Sequence, residues 1–271
     1  MSVVAPVATE FETSQVLLRN GVRLNYVHGG PIDGPAVVML HGLSDSSFSF
    51  SRVMPLLTPD FSVIALDQRG HGDSDRPSRG YAIDDFAKDV LQLMDVRRIS
   101  EAILVGHSMG SFVARRVAER APHRVMQLVL IGTALTPRNA ALAKLITAID
   151  SLTDPVDADF IRDFQLSCLH KPVPTEFLAQ VIAESRKVPA RVWKAAIAGT
   201  WAYRVEWPIT VPTLIIGGEE DAVFSRAEQT ALFHAVERSA LHLEPDVGHT
   251  IHWEAPERFV RVAFGDRLRI A

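Results

Sequence analysis

The chain has 271 residues, 47% apolar and 22% charged, with 28 lysines and arginines against 32 aspartates and glutamates for a net charge of −4. That balance excludes a disordered chain, which lacks the apolar surface to offset its ordering entropy, and the length fits one core with or without an insertion. The slight acidity excludes a broad basic face for nucleic acid, and the single cysteine, Cys168, excludes an internal disulfide framework and a multi-cysteine metal site.

At the N-terminus, the first 14 residues carry no basic residue and no long apolar stretch, so no secretory signal is expected. Segments 15–18 and 22–27 flank Asn20-Gly21, the dipeptide that suits a tight hairpin turn. Short, nearly continuous apolar runs follow at Ala36–Leu40, Ser62–Leu66, 102–105, Val125–Ile131 and 213–216. Such runs fit strands buried on both faces, as in a parallel sheet. Between them, Ile83, Phe86, Ala87, Val90, Leu93 and Met94 recur at helical spacing, with Asp84, Asp85, Lys88 and Asp89 opposite. Phe112, Val113, Val117 and Ala118 form a second apolar stripe, and Pro256 opens a third that carries Phe259, Val260, Ala263 and Phe264.

The strand–helix rhythm breaks at Leu135. From there to Trp207 the sequence reads as helical, punctuated by Pro155, Pro172, Pro174 and Pro189. The expected fold is α/β: a mostly parallel sheet with helices on both faces. Its core spans 1–134 and 208–271, and 135–207 forms an inserted helical cap. No apolar run approaches the roughly 18–20 residues of a membrane span, so a cytoplasmic protein is expected, without nucleic-acid or membrane partners.

Gly106-His107-Ser108-Met109-Gly110 follows the run at 102–105 directly and opens the helix carrying Phe112. A serine on a tight strand-to-helix turn presents its hydroxyl clear of the sheet, at a helix N-terminus that favours developing negative charge. A hydroxyl is a weak nucleophile alone; it needs a base and a group that orients the base. His249, in a loop before the last helix, is the candidate base, and Asp221, just past the run at 213–216, is the candidate acid. Glu220 is the nearest rival to Asp221; His242, which alternates with Leu241 and Leu243 in a strand-like run, is read as structural, and His252 as a pocket or packing histidine. Acyl transfer also generates an oxyanion, held by two backbone N–H groups. One comes from Met109, after the nucleophile; the other comes from Leu43, in His41-Gly42-Leu43 after the run at Ala36–Leu40.

These motifs, together with Asp67-Gln68-Arg69-Gly70-His71-Gly72-Asp73-Ser74 and with Glu254, Pro256 and Phe259 after His249, resemble the α/β-hydrolase superfamily in its branch with a helical cap. The resemblance implies a Ser108–Asp221–His249 triad in the chain order this fold uses, and structural roles for Asp67 and Arg69. Relatives that open epoxides or remove halide use an aspartate where this chain has Ser108. Carbon–carbon bond hydrolases typically carry a glycine- and proline-rich oxyanion loop, whereas this chain has Leu43-Ser44-Asp45-Ser46. The expected activity is therefore cleavage of a carboxylic ester or lactone of a small to medium apolar substrate. The alternatives are a carbon–carbon bond hydrolase, a cofactor-free haloperoxidase-like enzyme, or a small-molecule receptor that keeps a vestigial triad. Phe48, Trp193 and Trp201 are the candidate pocket residues. No metal-ligand set, phosphate loop or dinucleotide turn occurs, so no metal or cofactor is expected; a homodimer is left open.

Overall fold

The computed structural model describes residues 11–265. In chain order the elements are β1 (Glu12–Leu17), β2 (Arg23–Gly29), β3 (Ala36–Leu40), α1 (Met54–Leu57), β4 (Ser62–Leu66), α2 (Ile83–Val96), β5 (Ala102–His107), α3 (Met109–Arg120) and β6 (Val125–Ile131). Four helices follow, α4 (Ala140–Asp150), α5 (Ala158–Ser167), α6 (Thr175–Ser185) and α7 (Ala190–Ala202). The chain then returns through β7 (Thr213–Gly218), α8 (Arg226–Ala235), β8 (Ser239–Glu244), α9 (Ile251–Glu254) and α10 (Pro256–Phe264).

The eight strands form one sheet in the order β1-β2-β4-β3-β5-β6-β7-β8. β2 pairs antiparallel with β1 and with β4, and every other pairing is parallel. The expected hairpin is present, although β1 starts three residues earlier than the apolar pattern indicates, because Glu12 still pairs with His28. Successive strand residues point to opposite faces, and the core divides accordingly. Val38, Leu40, Ile64, Leu66, Leu104 and Leu128 pack with Phe86, Val90 and Leu93 of α2 and Phe112 and Val117 of α3. Val37, Met39, Val63, Ile103, Val105 and Val129 pack with Met54 and Leu57 of α1 and Phe259, Val260 and Phe264 of α10. Neither face is left to water, as an all-parallel core requires.

The motif-bearing loop after β4 is an internal brace. Asp67 accepts hydrogen bonds from Ser47 N (2.6 Å), Asn25 Nδ2 (2.9 Å) and Asp73 N (2.9 Å). Arg69 clamps Asp89 of α2 through two nitrogens at 2.6 and 2.5 Å. Both residues are buried, and their bonds are spent within the fold.

The segment between β6 and β7 is helical throughout its regular parts, α4 to α7. α3 holds both of its ends. The fully buried Arg115 donates to the carbonyls of Ala134 (2.7 Å) and Leu135 (3.1 Å) where the segment begins. Arg116 donates to the Arg204 carbonyl at 2.7 Å and Tyr203 donates to Glu119 where it ends. Among the described residues, no helix is long and apolar enough to cross a membrane.

Candidate active site

Ser108 sits between the last residue of β5 and the first of α3, with φ +50° and ψ −116°. A side-chain-bearing residue rarely adopts this conformation, and it persists only where the surroundings fix it. The two glycines of the motif permit that close packing: a Cβ on Gly106 would lie 2.4 Å from the Gly110 carbonyl oxygen, and one on Gly110 would lie 2.1 Å from that of Leu40. Ser108 N donates to the Ile131 carbonyl at 2.9 Å, while Ser111 N and Oγ donate to the Ser108 carbonyl at 2.9 and 2.6 Å. The turn is therefore bonded on both sides.

Asp221 follows β7. Its Oδ1 accepts from Val223 N (2.8 Å) and Phe224 N (3.0 Å), and its Oδ2 bonds His249 Nδ1 at 2.9 Å. Burial alone would push this carboxyl up, but the His249 ring and the two backbone N–H groups outweigh it and hold it below the usual carboxylate range. A carboxylate only accepts, so Nδ1 is the donor in this bond, which leaves Nε2 as the nitrogen that can exchange a proton on the cavity side. Glu219 and Glu220, the neighbouring acids, are exposed, and Glu219 pairs with Arg226 at 3.4 Å.

His249 is buried. Its imidazole lies against Gly132, where a Cβ would fall 2.7 Å from Cε1; Ile131, the preceding residue, is the one that accepts from Ser108 N. Glu254 secures the histidine loop, accepting from Gly248 N (3.1 Å), Thr250 Oγ1 (3.2 Å), His170 N (3.1 Å) and Lys171 N (2.9 Å). The other C-terminal histidines are engaged elsewhere. His242 pairs with Glu244 inside β8 at 2.8 Å. His252 bonds Ser49 at 3.1 Å and packs on the His107 ring, with its pKa pushed down by burial.

Ser108 and His249 line one cavity of about 370 Å³. Leu43 and Met109 line it too, and among the described residues neither backbone N–H has a partner. Apolar side chains dominate the wall: Phe112, Leu142, Leu145, Phe164, Ile197 and Phe224. The three expected pocket residues lie outside it. Phe48 stacks on Phe177 at 5.4 Å and lines a separate cleft with Asn25, Ser47 and Asp67. Trp193 of α7 is fully buried, with Phe160 and Phe164 of α5 edge-on to its ring at 5.7 and 5.1 Å. Phe164 therefore reaches the cavity and Trp193 backs it. Trp201 packs on the main core. The tryptophan that lines the cavity is Trp253, held by Ser49 through Nε1 at 2.9 Å to the carbonyl. Phe112, Phe224 and Trp253 lie three or four positions beyond Ser108, Asp221 and His249, a spacing from which they could have been found.

A family model for the alpha/beta hydrolase fold matches residues 35–172. The chain belongs to the alpha/beta-hydrolase family. Among curated relatives of this hydrolase-fold chain, a candidate carbamate hydrolase of Variovorax paradoxus is 32% identical, covering 83% of this chain and 89% of its own. The 2-(acetamidomethylene)succinate hydrolase of Mesorhizobium japonicum is 27% identical, covering 95% and 96%. Among solved structures, an esterase from Exiguobacterium antarcticum superposes with a TM-score of 0.83 at 20% identity, over 94% of this chain and 99% of that one. At that identity the likeness concerns the fold.

Proposed function

We propose that this alpha/beta hydrolase cleaves a carboxylic ester or lactone of a small to medium apolar substrate through an acyl-enzyme. Ser108 Oγ attacks the carbonyl carbon and His249 Nε2 takes its proton. Asp221 holds the ring and offsets the charge that then forms on it. The N–H groups of Leu43 and Met109 stabilise the tetrahedral oxyanion in a cavity whose apolar wall strengthens that interaction. His249 returns the proton to the departing alcohol oxygen, and water activated by the same ring releases the acid. The observation that carries this reading is the 2.9 Å bond from Asp221 to His249, whose ring lines the same cavity as Ser108 on its strained turn. In this reading 135–207 is the cap, and the apolar side chains of α4, α5 and α7 select the substrate.

The test is a panel of p-nitrophenyl esters, lactones, carbamates and ring-cleavage products. Carbamates are included because a relative of 32% identity is a candidate carbamate hydrolase. Wild type should turn over esters repeatedly, which a receptor with a vestigial triad would not. Ser108→Ala and His249→Ala should each lower kcat by at least about 10³-fold. Retention of most ester turnover by Ser108→Ala would overturn the proposal.

A further inference from the structure

Ser44, next to the oxyanion donor Leu43, is fully buried and has a φ of +67°. No glycine eases that conformation, so neighbouring groups must hold it. They come from the inserted helices. Gln165, in the last turn of α5 and 1% exposed, places Nε2 at 3.2 Å from Ser44 Oγ, 3.1 Å from Asp45 Oδ1 and 2.8 Å from Ser185 Oγ of α6. The Asp45 carboxylate can only accept, which fixes the amide with its nitrogen towards the loop. Three residues further on, the Cys168 carbonyl accepts from His249 N at 3.0 Å. At the start of α4, Asn139 Nδ2 donates to the Val223 carbonyl at 2.7 Å, two residues past Asp221. Each loop that supplies the oxyanion donor, the base or the acid is thus fastened to the inserted helices by a polar contact.

We propose that Gln165 is a positioning residue: its amide fixes the Ser44–Asp45 backbone and so aims the Leu43 N–H, and the inserted helices complete the oxyanion hole as well as covering it. This rests on the acyl-transfer reading of the cavity. The amide's two N–H groups are shared among three oxygens on two elements, so removing them frees the oxyanion loop and leaves Asp45, 4% exposed, without that donor. An oxyanion donor works only where it is held at the transition-state position. Displacement of about 1 Å costs roughly 100-fold, and loss of a donor roughly 100- to 1,000-fold.

Gln165→Met keeps the length of the side chain and removes the donor. On the best ester from the panel, kcat should fall roughly 10- to 100-fold while KM stays within about threefold. Affinity for a trifluoromethyl ketone, a tetrahedral mimic, should fall by a similar factor. Backbone amide hydrogen exchange at 43–46 should accelerate, a readout that needs no turnover. Gln165→Asn, one methylene short, is the second variant if the first does not fold, and it should show the same pattern. An unchanged kcat, or a raised KM alone with exchange at 43–46 as in wild type, would overturn the proposal and leave Gln165 as packing. If the wild type shows no ester turnover, the functional reading fails on its own, and the exchange measurement still decides the role of Gln165.

Discussion

Asp221 uses its two carboxylate oxygens for different purposes. Oδ1 takes two backbone N–H groups from its own loop, and Oδ2 is left for His249. Asp221→Asn keeps the size but offers an N–H where the ring already carries one, which favours the wrong tautomer. The expected loss in kcat is about 10⁴-fold with little change in melting temperature, measured by ester kinetics alongside thermal unfolding. A loss below tenfold would return the role to Glu219 or Glu220. At this scale the sequence was most legible where chemistry depends on backbone geometry. Glycines at 106 and 110 are forced by neighbouring carbonyls, so the serine turn can be read from its letters. Which aromatic ring enters a cavity depends on the rotation and packing of each helix. Trp193 and Phe164 face each other across two helices, and no local pattern says which of them is in front.

Helix α3 begins at the Ser108 turn and also carries the anchors of the stretch between β6 and β7. Arg115 is fully buried, bonds the carbonyls at the start of that segment, and lies over the rings of Phe112 and Tyr203 at 5.4 and 5.1 Å. Arg115→Met would leave the Ala134 and Leu135 carbonyls without that donor. Stability should fall by on the order of 2–4 kcal/mol, read as a lowered urea midpoint; an unchanged midpoint would show that these carbonyls find other partners. Elements with nearly continuous apolar runs were legible to the residue: β3, β4 and β6 span the ranges their letters indicate. α8 went unread because its apolar positions are few, although Ser225 and Glu228 cap it reciprocally, a signal present in the sequence. β8 is half-buried at the sheet edge, so Leu241 and Leu243 alternate with His242 in place of a continuous apolar run.

At the scale of the molecule, four histidines among the described residues are buried with pKa values pushed down by that burial: His41, His71, His107 and His252. For His71 the value falls to about 3. His41 shows why the neutral form is built in: Nδ1 donates to the Gly42 carbonyl at 2.7 Å while Nε2 accepts from Gln68 N at 3.0 Å. The unfolded chain protonates these rings below about pH 6.5 and the folded chain does not. Their contribution to stability is therefore full above that pH and is lost as pH falls, by about 1.4 kcal/mol per unit per ring until each folded value is reached. Melting temperature should drop steeply between about pH 6.5 and 4.5, and His71→Gln should flatten the slope. A wild-type melting temperature constant over that range would mean that the rings take up protons in place.

About half of the cavity wall belongs to the stretch between β6 and β7, so an exchange of that stretch between two such proteins looks like the simplest route to a new preference. The fastenings limit it. A grafted segment lacking an amide at 165, a carbonyl positioned as at 168 and an asparagine at 139 would bring new walls and release the machinery beneath them. Chimeras should therefore succeed when their junctions and these three positions travel together, and fail as catalysts, while still folding, when only the lining is transplanted.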